Sequence, residues 1–77
     1  MSWNYRVLAF EDPMNEVVFE IHSVYYHPDG TPRGYGTNPA VMISEDTKGF
    51  RQVLNQFKKA LEKPVIWGGK RFPEIYE

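Results

Sequence analysis

One stretch of this chain carries helical periodicity, and it leaves the remainder to strands and turns. Phe50, Val53, Leu54, Phe57 and Leu61 recur at spacings that place them on a single stripe of a helix. Asp46 or Ser44 can cap its start, and Pro64 stops it after Lys63. Lys58, Lys59 and Lys63 fall in the last two turns, where cations oppose the negative helix end. Gly49 near the start costs about 1 kcal/mol against alanine, for no reason visible in the sequence.

Before the helix, the pattern has period two. Trp3, Tyr5, Val7 and Ala9 alternate with Asn4, Arg6, Leu8 and Phe10, the mark of a strand. Glu11-Asp12-Pro13-Met14-Asn15 breaks it, and a second β-rich run spans about Glu16 to Tyr26. His27-Pro28-Asp29-Gly30-Thr31-Pro32 reads as a turn and Gly34-Tyr35-Gly36-Thr37-Asn38 as a loosened stretch. A third strand is expected over Ala40 to Ser44, entered through Asn38-Pro39. The expected fold is α+β: a three-stranded antiparallel meander packed on one C-terminal amphipathic helix, with Val65-Ile66-Trp67 as a possible short extra strand. The domain covers 1–66. Residues 67–77 form a tail, carrying apolar Phe72, Ile75 and Tyr76 after Gly68-Gly69, that serves either as a strap over the core or as a docking segment.

A five-residue turn after the first strand sets Val7 opposite Phe19 and Tyr5 opposite Ile21, with Arg6 opposite Glu20 and Asn4 opposite His22 on the other side. Extended to the third strand, this register gives an inner face of Trp3, Tyr5, Val7, Phe19, Ile21, Val41 and Ile43 beneath the helix. The other face then carries an apolar row of Leu8, Val18 and Met42, with Phe10 nearby, where a lone meander favours polar residues.

Seventy-seven residues make one domain, near the size at which a single core stabilises a fold by roughly 3 to 5 kcal/mol. Without cysteines, neither disulfides nor thiolate metal sites can supplement that core. Two tryptophans, five tyrosines and five phenylalanines compensate in part. No secretory pattern opens the sequence and no run reaches membrane-spanning length, so the expected location is cytoplasmic. The net charge of −1 hides an asymmetry. Residues 1–45 hold two bases against six acids, and residues 46–77 hold seven bases against four acids, a distribution that a solvated helix face and tail explain.

Trp3-Asn4-Tyr5-Arg6-Val7, Ile21-His22 followed by Val24-Tyr25-Tyr26, Asp29-Gly30, Asn38-Pro39 and Lys63-Pro64-Val65 together resemble a family of small uncharacterised bacterial proteins, slightly shorter than this chain. The resemblance covers residues 1 to about 66 and implies a bacterial or phage context. The family carries no assigned activity, so no functional residue is carried over.

Chemistry has no visible carrier. Glu20 and His22 share a strand face but lack a third ligand at recognisable spacing, so they read as a surface pair and no metal or cofactor is expected. Ser2, Ser23 and Ser44 lack any nucleophile context, and Gly34-Tyr35-Gly36 and Gly68-Gly69-Lys70 lack phosphate-loop spacing. The chain is therefore expected to be a non-catalytic protein-interaction module, self-associating or bound to another protein. Its contact residues are expected to be Leu8, Phe10, Val18 and Met42, assisted by Phe72, Ile75 and Tyr76. The alternative is nucleic-acid binding through Arg51, Lys58, Lys59, Lys63, Lys70 and Arg71, with Tyr25, Tyr26 or Trp67 stacking on bases.

Overall fold

The computed structural model describes residues 2–77; Met1 lies outside the described residues. Strands β1 (Trp3–Glu11), β2 (Val17–Tyr26) and β3 (Pro32–Tyr35) precede helix α1 (Thr47–Ala60), and β4 (Ile66–Trp67) and a short 3-10 turn (Gly69–Arg71) follow it. The sheet order is β3-β2-β1-β4. β1, β2 and β3 pair antiparallel, while β4 joins β1 in parallel, so the sheet is mixed and α1 sits in mid-chain rather than at the C-terminal end. No helix among the described residues is long and apolar enough to cross a membrane.

The β1–β2 register differs from the expected one by two residues. Val7 pairs with Ile21, Tyr5 with Ser23, Arg6 with His22 and Asn4 with Val24. The turn is the cause. The Asp12 amide donates to the Glu16 carbonyl at 2.8 Å, leaving only Pro13, Met14 and Asn15 in the loop. Asn15 takes the left-handed conformation (φ 64°) that such a three-residue loop requires. Asp12 Oδ1 accepts from the amides of Met14 and Glu16, locking the turn. Because the shift is even, every side chain keeps its face.

The third strand lies at Pro32–Tyr35, and Ala40–Ser44 forms none, which corrects the expected third strand. A five-residue connection closes more readily than the longer one the other pairing needs. The His27 amide donates to the Thr31 carbonyl, and Asp29 Oδ1 accepts from the Thr31 amide and hydroxyl. Those bonds, the amide first, hold the Asp29 carboxyl below its usual range. Pro32 is tolerated because it opens the strand, beside a register irregularity at Tyr25 and Tyr26. The Ala40 amide still bonds the Ile21 carbonyl, after which the chain leaves the sheet edge.

α1 is capped by Asp46, whose side chain accepts from the Gly49 amide at 2.7 Å. A Cβ at Gly49 would push aside the exposed Ser44 hydroxyl, which accepts from the Asp46 amide beside this cap. The helix ends at Ala60, three residues before the expected Lys63, and Leu61–Lys63 unwind through i to i−3 bonds. It packs on the Trp3, Tyr5, Val7 side of the sheet, with the Phe57 ring edge-on to Tyr5 at 5.0 Å.

Val7, Ala9, Ala60 and Trp67 are buried on this side, and a second buried cluster lies on the opposite side. Leu8, Val24 and Ile66 are fully buried there, surrounded by Phe10, Tyr26, Tyr35 and Phe72. The tail supplies the cover. Phe72 stacks against Tyr35 at 4.9 Å, Ile75 bridges to Ile66, and the Trp67 and Tyr76 amides donate to the Glu74 and Val65 carbonyls. Tyr76 crosses to the helix side and meets Phe19 and Trp67. Gly68 is where the chain passes tightest, since a Cβ there would run into the Phe10 ring, itself held by His22 and Tyr35. Gly68→Ala is expected to cost about 1 to 3 kcal/mol by overpacking, read as a lower urea midpoint; an unchanged midpoint would show that the ring yields freely.

Candidate interaction face

Three of the seven residues expected to form a contact surface are spent on the core. Leu8 is fully buried and has no surface to offer a partner, which corrects its assignment; Phe10 and Phe72 are half-buried against the same cluster. Met42 and Tyr76 are also half-buried, whereas Val18 and Ile75 are exposed. Of the basic set, Arg51, Lys58, Lys59, Lys63 and Lys70 are solvated. Arg71 is engaged, with its guanidinium 4.3 Å from the Trp67 ring centroid and 3.3 Å from Glu74.

Exposed apolar surface sits instead among residues expected to be inside. Val41 is 69% exposed, Ile43 75%, Phe19 54% and Trp3 52%. The helix axis accounts for this: the C-terminal half of α1 reaches the sheet through Phe57, while Phe50 and Leu54, nearer its start, stay exposed. Val41 and Ile43 lie beyond the edge bond at Ala40 and have no strand partner among the described residues. The molecule is correspondingly flat, 38 × 34 × 21 Å, with a radius of gyration of 13.2 Å against about 11.5 Å for a compact chain of this length. Its accessible surface is 5852 Å², whereas a 9.0 kDa monomer typically exposes about 4,900 Å².

Two clefts indent this side. One, of about 470 Å³, is lined by Trp3, Tyr5, Ser23, Tyr25, Pro39, Ala40 and Val41, none of them charged. The other, of about 500 Å³, shares Trp3 and Tyr5 but adds Lys59, Glu62 and Lys63 from the helix end. Trp3 stands between them, edge-on to Tyr5 at 5.2 Å.

Glu20 and His22, expected as a surface pair, belong to a polar arrangement on the buried side. His22 is 1% exposed. Its Nδ1 lies 2.7 Å from the Gly36 carbonyl and its Nε2 2.8 Å from Glu20 Oε1. Both partners are acceptors, so both bonds form together when the ring carries two protons or when Glu20 holds the second. The effect is a clamp that ties the loop after β3 to the sheet. No third metal-ligating side chain joins them among the described residues.

Across the strand from His22, Arg6 is buried with no carboxylate partner among the described residues. Its Nη1 donates to the Tyr26 hydroxyl at 3.0 Å and its Nη2 to the Pro64 carbonyl at 2.7 Å, while Nε finds no acceptor among the described residues. Tyr26 in turn donates to Asn4 Oδ1. This fork fastens the helix-to-β4 connection to β1. Arg6→Lys is expected to cost about 2 to 4 kcal/mol, because one ammonium cannot span both acceptors and remains a buried charge. Arg6→Met is expected to cost less, about 1 to 3 kcal/mol for the lost hydrogen bonds to the Tyr26 hydroxyl and the Pro64 carbonyl. Urea unfolding of the pair checks the order, and a milder effect for lysine would contradict it.

Comparison of the chain with protein-family models, with curated proteins and with solved structures finds no match.

Proposed function

We propose that this domain is a non-catalytic protein-interaction module that docks through the apolar surface on the helix side of its sheet. One observation carries the reading: the chain exposes roughly 1,000 Å² more than its mass accounts for, and large apolar side chains are among those left exposed on that side. Val41 and Ile43 are central because they contribute little to the chain's own packing at 69% and 75% exposure. Affinity capture with the wild type and with the double variant Val41→Asp, Ile43→Asp tests it. The wild type is expected to retain a stoichiometric protein, its own untagged copy included, and the equally folded variant to lose it. Equal recovery by both, or none by the wild type, would refute the module.

A second reading, nucleic-acid binding, is favoured by the cleft that sets Lys59 and Lys63 beside the half-exposed Trp3 ring, a base-stacking surface with two phosphate partners at hand. It expects salt-dependent binding of single-stranded RNA or DNA that Lys59→Ala with Lys63→Ala abolishes. No binding at low salt removes it.

A further inference from the structure

We infer that the partner seated on the helix-side surface is a second copy of this chain, related by a two-fold axis; the inference rests on reading that surface as a docking face. Area favours a second copy. The chain exposes 5852 Å² where about 4,900 Å² is usual for its 9.0 kDa, and a stable interface takes about 800 Å² from each partner. The surplus matches one subunit's share.

Charge favours it as well. Across a two-fold, a patch meets itself, so any net charge it carries is opposed by the same charge. The cleft formed by Trp3, Tyr25, Pro39 and Val41 has no charged lining residue, and Ile43 continues from it along the chain. It can face its own image without repulsion. The neighbouring cleft, with Lys59, Glu62 and Lys63, is less suited to this.

The sheet edge fares worse. Ile21 and Ser23 accept from Ala40 and Gly36 on the β3 side, so the alternate residues Phe19 and Val17 direct their backbone groups to the same, open edge. A two-fold centred on Val18 would pair these edges, but it would set Glu16 of each copy opposite Glu20 of the other. Packing face to face avoids that conflict.

Stability points the same way. The buried apolar residues are Val7, Leu8, Ala9, Val24, Ala60, Ile66 and Trp67, two of them alanines, a small core for a cysteine-free chain. A partner present at the chain's own concentration stabilises the folded state by mass action.

Sedimentation equilibrium of the full chain across the micromolar range tests the inference. The expected mass at high concentration is twice 9.0 kDa. Val41→Asp and Ile43→Asp are each expected to raise the dissociation constant about a hundredfold or more, by burying an unpaired carboxylate, with unchanged far-UV circular dichroism. Met14→Asp, 78% exposed beyond the far end of β1 from Trp3, is expected to change nothing. A wild type that stays at 9.0 kDa throughout overturns the second copy. If that monomer binds the apolar dye ANS and Val41→Asp abolishes the binding, the docking face stands with another protein as its partner; if it binds no dye, the docking face falls as well. A dimer indifferent to both aspartates overturns the assignment to this face.

Discussion

Leu8→Ala is expected to lower the unfolding free energy by about 3 to 5 kcal/mol, enough to leave much of the chain unfolded at room temperature, because a domain of this size holds only about that much in total. Leu8 is fully buried between Val24 and Ile66, so truncating it opens a cavity that rigid strands on both sides cannot close. Val18, from the same expected row, is exposed, and Val18→Ala is expected to cost within about 0.5 kcal/mol. Urea unfolding followed by tryptophan fluorescence measures both. Equal midpoints for the two variants would mean that Leu8 lies on a surface after all.

Ending the chain after Arg71 is expected to cost roughly 3 kcal/mol or more, the second largest effect. Residues 72–77 supply Phe72 to the core cluster, Tyr76 to Phe19 and Trp67, and the backbone bonds that bracket the Ile66–Ile75 bridge. Without them, β4 keeps two paired residues and one open edge. Amide exchange at Ile66 and Trp67 is expected to rise above the rate set by global unfolding, through local opening of β4. Unchanged protection in the shortened chain would show that the tail lies on the core without supporting it.

How much of this was legible depended on the range of each interaction. The Trp3–Phe10 alternation, the helix stripe and its Asp46 cap are local patterns, and each is present in the fold. The register slipped by two because a single residue, Asn15, accepts a left-handed conformation and shortens the turn. The third strand was displaced because Pro32 read as a turn residue although it can open a strand, and because Val41 and Ile43 read as strand although nothing among the described residues pairs with them.

The larger omission concerned the second face, since the helix side is covered at Val7 and Ala9 as expected and the opposite side is covered too. Parity assigned every residue of β1 and β2 to its correct side, yet parity does not say which side is covered. Ile66 lies 58 residues beyond Leu8, its neighbour in the sheet, and no pattern within β1 announces that Ile66, Tyr35 and Phe72 will close over it. His22 and Glu20 were misread for the same reason. Their shared face was visible, but the Gly36 carbonyl and the rings of Phe10 and Tyr35 that bury the imidazole come from elsewhere in the chain. On the helix side, an apolar stripe implied cover, and the stripe proved longer than its contact with the sheet, leaving Phe50 and Leu54 at the surface.

Because the chain has no cysteine, one introduced thiol reports on one position, and the decisive comparison is the reaction of Val24→Cys, at a fully buried position of similar volume, and Ile43→Cys with a thiol reagent under native conditions. The Ile43→Cys thiol is expected to react at the rate of a free thiol in dilute protein and to slow as concentration rises, while the Val24→Cys thiol reacts only as fast as the domain unfolds. Equal reactivity at the two positions in the folded chain would contradict this assignment of buried and exposed positions.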